Sequence, residues 1–310
     1  MTEIIAKAPG SLMICGEHAV VYDYWAIVCA ISEYITVNLQ TRSDNNLVIY
    51  SSLGDYKAPL DNLKDNYALR FILAAVKKYP PTQGITLKIT SSINPEIGFA
   101  SSAAVTVATL AALIKLNQLE VSDYDLHQVA HNIILEIQGR ASGADLAASI
   151  FGGMLAYRRA NSAKNKHMMV EKLPLPSCNL SVRYAGYKTP TAQILEDLAQ
   201  KYEQNQLFYN KLHLKMGDKT LQAIAAAKEE QWEAFFNFLQ DYHKFMCQLG
   251  VCDFNQSIHI RDAINNNGKG VKISGSGLGD CIIAFYDEIL PENHMQVLPT
   301  TTGVQVEVVS

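Results

Sequence analysis

The side chains with chemical potential fall in four short stretches, and one of them organises the rest. Residues 94–104 read Asn94-Pro95-Glu96-Ile97-Gly98-Phe99-Ala100-Ser101-Ser102-Ala103-Ala104 and run into a segment of Ala, Val, Leu and Thr at residues 105–114. A loop of small residues opening a helix presents free backbone N–H groups carrying about half a positive charge, and Gly or Ala beside them lets a polyphosphate come close. Ser101 and Ser102 add hydroxyls that can cap the helix, bond a phosphate or ligate Mg²⁺. No Gly-Lys-Ser/Thr follows, so this is not a Walker A loop, and an ordinary Ser-capped helix is the competing reading.

The other three stretches supply acids, an imidazole and turns. Asp145 lies among Ala, Gly and Leu in residues 139–153, where a carboxylate is costly to desolvate without a cation or a task; helix capping is the alternative. Glu17 and His18 sit side by side between two strand-like runs. They read either as substrate contacts or as a Glu paired with a nearby Lys or Arg beside a half-buried His. Gly275-Ser276-Gly277-Leu278-Gly279-Asp280 places a glycine at every second residue between two strands, which needs positive φ or the close approach of another backbone. Lys188, Thr189 and Thr191 form a turn that can touch an anionic substrate or merely cap the next helix.

These residues need elements to position them. The alternation of Ile85, Leu87 and Ile89 predicts a strand feeding the small-residue loop. Further strands are expected at residues 3–9, 28–39 and 46–52, and an amphipathic helix over 61–79, stopped by Pro80-Pro81. Ser122 is expected to cap a helix that ends at Gly139, and the polar residues 161–172 to form a hairpin or a passage between domains. Helical patterns follow at 192–202, 206–228, 230–249 and 253–265, and strands at 182–185, 271–274, 281–286 and 304–309. A helix-rich second half closed by three short strands makes an α+β layer.

Composition narrows the function classes. A chain of 310 residues suggests two domains at roughly 150 residues each. A net charge of −4 with scattered Lys and Arg argues against a nucleic-acid surface, and no apolar run is long enough for a membrane helix. The six cysteines contain no C-x-x-C pair, so free thiols in a cytoplasmic protein are expected, with neither a zinc site nor a disulfide framework.

In order and spacing the four stretches resemble the GHMP small-molecule kinases over nearly the whole chain. Residues 8–21, from Ala8-Pro9-Gly10 to Gly16-Glu17-His18-Ala19-Val20-Val21, are similar to the first motif of that family, residues 95–104 to the second, and residues 275–280 to the third. The resemblance implies an α+β fold of two domains: a ribosomal-S5-like nucleotide-binding domain at 1–172 carrying the phosphate loop and catalytic Asp, and a ferredoxin-like domain at 173–310 completing the substrate cleft. It implies ATP and Mg²⁺, with Gly98, Phe99, Ala100, Ser101 and Ser102 on the phosphates, Gly275, Ser276 and Gly277 supporting that loop, and Ser102 on the metal. Asp145 would be the base or orienting carboxylate, while Glu17, His18, Lys188 and Thr189 would hold a small-molecule alcohol. A homodimer is admissible and not fixed by the sequence.

Two positions depart from the family pattern. The lysine expected after Ala-Pro-Gly is Ser11, so Lys7, Lys188 or Arg140 would have to supply its charge, or Asp145 would work with less help. The metal-binding glutamate expected before Asp145 falls on Ile134; Glu136 is displaced by about 200° around a helix and would need a rearranged helix end. The Glu17 motif favours mevalonate as acceptor, whereas residues 142–149 and 279–281 look more like phosphomevalonate kinases. Sugars, and a catalytically weak sensor of nucleotide or metabolite, are the further alternatives.

Overall fold

The computed structural model describes residues 2–94, 97–160 and 168–309. Pro95 and Glu96 of the phosphate-loop motif, and residues 161–167 of the expected polar passage, lie outside them. In chain order the first part contains β1 (Glu3–Cys15), a single 3₁₀ turn (Ala19–Tyr22), β2 (Ala26–Thr41), β3 (Asn46–Tyr50), β4 (Tyr56–Pro59), α1 (Arg70–Lys78), β5 (Ile85–Ser91), α2 (Ser101–Leu116), α3 (Asp123–Gln138), α4 (Ala144–Phe151), β6 (Met154–Arg158) and β7 (Met169–Leu173). The second contains β8 (Asn179–Lys188), α5 (Thr191–Gln204), α6 (Gln206–Lys228), α7 (Trp232–Leu249), α8 (Phe254–Asn265), β9 (Lys269–Ser274), β10 (Gly279–Tyr286), β11 (Met295–Gln296) and β12 (Gln305–Val309).

Two sheets result. The larger has eight strands in the order β12-β1-β2-β5-β3-β4, with β6 joined to β2 and β7 to β6. The smaller has the order β11-β8-β10-β9 with every pairing antiparallel; numbered along the chain this is 4-1-3-2, the ferredoxin-like arrangement. The fold is therefore α+β with two halves, as expected. The last strand departs from the expected boundary at residue 173. β12 leaves the second half and pairs with β1 from Glu3↔Val309 to Lys7↔Gln305, satisfying an edge of the first sheet that would otherwise lie open.

Three local departures have physical causes. β1 does not stop at Gly10 but continues to Cys15, with register shifts between Pro9 and Ser11 and between Met13 and Cys15. Such bulges absorb the missing proline N–H and re-aim the side chains that follow. The helix expected over 61–79 begins only at Arg70, because the Asn66 side chain accepts from the backbone of Ala68 and Leu69 and holds a turn there. α7 starts at Trp232 rather than residue 230, since Glu230 adopts a left-handed backbone, φ 53°.

α2 occupies the centre of the first half. Ten of its sixteen residues are buried, leaving no broad solvent face; it packs on β1 and β2 and against α1, α3 and α4. Its two buried threonines return their hydroxyls to the helix, Thr106 to the Ser102 carbonyl and Thr109 to that of Val105, both at 2.7 Å. One hydrophobic cluster joins Leu12, Ile14 and Ile27 of the first sheet to Met216, Leu239 and Tyr242 of α6 and α7. No described helix is long and apolar enough to cross a membrane.

Candidate active site

The phosphate-loop residues sit where β5 hands over to α2. Ala100 is the N-cap of α2 and takes a left-handed backbone, φ 54°, which costs an alanine roughly 1 kcal/mol or more relative to glycine. Phe99 is buried at 1 % exposure and anchors the loop in the core. Its carbonyl accepts from the Ser11 N–H at 3.2 Å. Among the described residues the N–H groups of Ala100, Ser101 and Ser102 have no hydrogen-bond partner, so the positive end of α2 is available to an anion. Gly98 is spoken for: its N–H donates to Asp280 Oδ1 at 3.1 Å, and a Cβ on Gly98 would meet that oxygen at 2.4 Å.

Asp145 enters the same region from the first turn of α4, beyond the left-handed Gly143. The Ser11 hydroxyl donates to Asp145 Oδ1 at 2.7 Å. Ser11 thus joins the loop to the carboxylate, its amide on Phe99 and its hydroxyl on Asp145. Burial raises the Asp145 carboxyl above its ordinary range; the Ser11 hydrogen bond and the charge of Lys188 pull it down, and Asp280 pushes it up. Lys188 itself pairs with Asp280 at 2.8 Å. A chain of contacts therefore runs from Gly98 through Asp280 to Lys188, with Asp145 inside its field.

Of the three cations considered for the place of the family lysine, Lys188 is the one that acts on Asp145. Lys7 lies over the Tyr34 ring, 3.9 Å from its centre. Arg140 donates to the Leu195 carbonyl at 3.4 Å.

The loop at residues 275–280 braces this arrangement. Gly277 has φ 84°, and a Cβ there would lie 2.3 Å from the Val251 carbonyl, so both conditions expected of the glycines hold at this position. Leu278 donates its N–H to that same carbonyl at 2.9 Å and accepts from the Thr189 hydroxyl at 2.7 Å. The Thr189 side chain is accordingly spent on the brace. The buried Gln256 side chain donates to the Gly279 carbonyl at 2.6 Å.

Glu17 and His18 part company. The Glu17 carboxylate pairs with Lys272 at 2.5 Å, with side chains 3 % and 0 % exposed, so its charge is closed inside the protein. The pairing with a lysine, one of its two sequence readings, is the one the fold adopts. His18 donates from Nε2 to the Ser276 carbonyl at 3.0 Å and lines a cavity of about 300 Å³ with Tyr22, Arg140, Arg159, Tyr202 and His213. Burial drives the His18 and His213 imidazoles down to about 4, so both are neutral at pH 7. Arg159 is held by Asp23 at 3.4 Å and by the Val21 carbonyl at 3.1 Å. The cavity wall at Gly139 to Ala141 runs directly into the turn that carries Asp145.

Glu136 is exposed on α3, which is regular to Gln138 and closes on Gly139 as Ser122 and Gly139 predict. The rearranged helix end that a metal role for Glu136 would need is absent, and Ile134 is buried at 6 %.

Sequence reasoning overlooked Lys272 and the contact made by the Ser11 hydroxyl. A signal for the first existed: a lysine inside the apolar strand Val271-Lys272-Ile273 must find a buried acid. The second depends on a bulge and had none.

A model of the GHMP kinases N-terminal domain matches residues 66–153, and one of the GHMP kinases C-terminal domain matches residues 223–294. Together they cover a little over half of the chain. The chain belongs to the GHMP kinase family. Kinases of this family use ATP, and the loop and the Asp145 carboxylate described above lie within the first matched segment. The chain is 28 % identical over 287 residues to a mevalonate kinase of Saccharolobus solfataricus, covering 90 % of this chain and 89 % of that one. It is 28 % identical over 307 residues to a mevalonate kinase of Archaeoglobus fulgidus, covering 98 % and 100 %. Among solved structures, the Lin0012 protein of Listeria innocua superposes with a TM-score of 0.83 at 24 % identity over 98 % of this GHMP kinase and 99 % of that chain, a likeness of fold.

Proposed function

We propose that this GHMP kinase transfers the γ-phosphoryl group of ATP to the hydroxyl of mevalonate. The observation that carries the reading is the meeting of Asp145 with the phosphate loop through Ser11, beside a cavity able to seat a small anion. Phosphoryl transfer requires a positioned alcohol, neutralised phosphate oxygens and an in-line approach. The amides of Ala100, Ser101 and Ser102 would hold phosphate oxygens, and Asp145 would accept or orient the proton of the acceptor hydroxyl. Lys188 would supply the positive charge that family members place at the position of Ser11.

Mg²⁺ fits the donor set as a metal held chiefly by the triphosphate. Ser102 offers a hydroxyl, and Asp145 and Asp280 are two carboxylates close enough for one to raise the pKa of the other. Bound there, it would neutralise phosphate charge. The protein's own groups bind the acceptor, orient it and hold the proton.

The cavity charge supports mevalonate over phosphomevalonate. With both histidines neutral and Arg159 paired to Asp23, Arg140 is the remaining cation of the lining. Arg183, outside this lining, is paired with Asp262. One positive charge suits a carboxylate better than the double charge of a phosphate. The six free thiols are consistent with action in the cytoplasm.

A coupled ADP-release assay with mevalonate, phosphomevalonate and a panel of sugars tests this. Turnover with mevalonate at least about tenfold more efficient than with any other acceptor is expected, a difference of about 1.4 kcal/mol. Preference for phosphomevalonate would transfer the assignment, and ATP binding with no turnover on any acceptor would favour a sensor.

A further inference from the structure

Outside the cleft, one cluster of metal-ligating side chains has no part in phosphoryl transfer. His243 and Cys247 stand one turn apart on α7, at the spacing that puts two side chains on one face. The helix closes at Gly250, and the chain turns back so that Cys252 joins them; each of the three has a ligand atom within 4.8 Å of the others. His243 Nε2 is 3.5 Å from Cys247 Sγ, and its Nδ1 is buried without a hydrogen-bond partner among the described residues.

The surroundings favour a soft metal. Cys252 Sγ lies 3.4 Å from the Ser257 hydroxyl, whose proton goes to the Asp253 carbonyl at 2.8 Å, so the sulfur has no strong donor competing with a metal. The neighbouring carboxylate of Asp253 is already spent, Oδ1 capping α8 through the Gln256 N–H at 2.9 Å and Oδ2 accepting from the Tyr187 hydroxyl. What remains is one imidazole and two sulfurs, a set that suits Zn²⁺ and is poor for Mg²⁺ or Ca²⁺. Cys247 is exposed, so an ion can enter from solvent.

We propose that His243, Cys247 and Cys252 bind a Zn²⁺ ion, with water as the fourth ligand. The ion ties the end of α7 to the turn that carries Val251, whose carbonyl accepts from Leu278 and whose backbone lies against Gly277. It therefore stiffens the loop that sets Asp280 on the phosphate loop, from a position outside the cleft. This site is independent of which acceptor the kinase uses.

The test uses the untagged full chain, stripped with chelator and kept reduced. Titration with Co²⁺ is expected to give thiolate-to-cobalt charge-transfer absorption and tetrahedral d–d bands that saturate at one ion per chain and are displaced by Zn²⁺. Cys247→Ser, Cys252→Ser and His243→Gln should each weaken Zn²⁺ binding by more than about a hundredfold, beyond the roughly 10–100-fold of outer-shell changes. Saturating Zn²⁺ should raise the melting temperature of the parent chain and leave that of Cys247→Ser unmoved. No charge-transfer band with the thiols intact, or Zn²⁺ affinity unchanged in the Cys247 and Cys252 variants, overturns the site.

Discussion

Two acid–lysine clusters lie where the halves of the molecule meet, and they are built to opposite ends. Glu17 and Lys272 are sealed: both side chains are buried, and the ammonium also donates to the Ile273 carbonyl. Asp280 and Lys188 are left half-open, the lysine 43 % exposed, with Asp145 in their field and the free amides of α2 alongside. A sealed pair ties the two halves together, and its one unpartnered oxygen, Glu17 Oε2, is buried away from solvent. An open cluster keeps unbalanced charge and unsatisfied donors, which is what a reacting phosphate needs. Residue type does not separate them, since each is an acid beside a lysine; burial does.

The largest expected effect falls on the open cluster. Asp145→Asn should lower kcat by about 10²–10⁴-fold while ATP affinity, measured by calorimetry, stays near that of the parent. An active variant would remove Asp145 from the chemistry and erase the contrast. Next, Lys272→Met should cost about 3–5 kcal/mol of stability in denaturant unfolding by stranding the Glu17 charge, and adding Glu17→Gln should recover much of it. Should Lys272→Met unfold like the parent, the sealed pair is not a structural clamp.

Lys188→Met sharpens the comparison through pH. A base must be ionised to accept a proton, so kcat/KM falls as pH drops through the Asp145 pKa, which burial sets above the usual carboxylate range. Lys188 pulls that pKa down, so its removal should move the acid limb of the pH profile to higher pH; an unmoved limb would mean that the lysine serves only Asp280. The smallest effect is expected at Ala100→Gly, which relieves left-handed strain and should change stability by about 1 kcal/mol at most, since glycine's added freedom in the unfolded chain opposes the gain. A large loss there would show that the loop needs the alanine methyl.

Much of the fold was legible because its signals are local. The helices over residues 206–228 and 254–265, the Ser122 cap and the Gly139 stop follow from periodicity and capping chemistry within a few residues. The start of α1 was missed because a side-chain turn at Asn66 outcompetes the helical pattern, and the destination of β12 because an edge strand carries no mark of the sheet it will complete. The His243–Cys247–Cys252 cluster escaped a search for C-x-x-C pairs, since its third member returns only after a helix end.

The sequence by itself determined the four motifs, their order, the kinase resemblance and the small-residue helix at the phosphate-loop motif, because each of these is written in neighbouring residues. Which acid joins the phosphate loop and which is locked to a buried lysine was decided only by the tertiary structure. Glu17 meets Lys272 across 255 residues of chain, and Ser11 reaches Asp145 across 134, the latter beside a bulge in β1. Desolvation and partner distance set the state of a carboxylate, and both are properties of the packed chain.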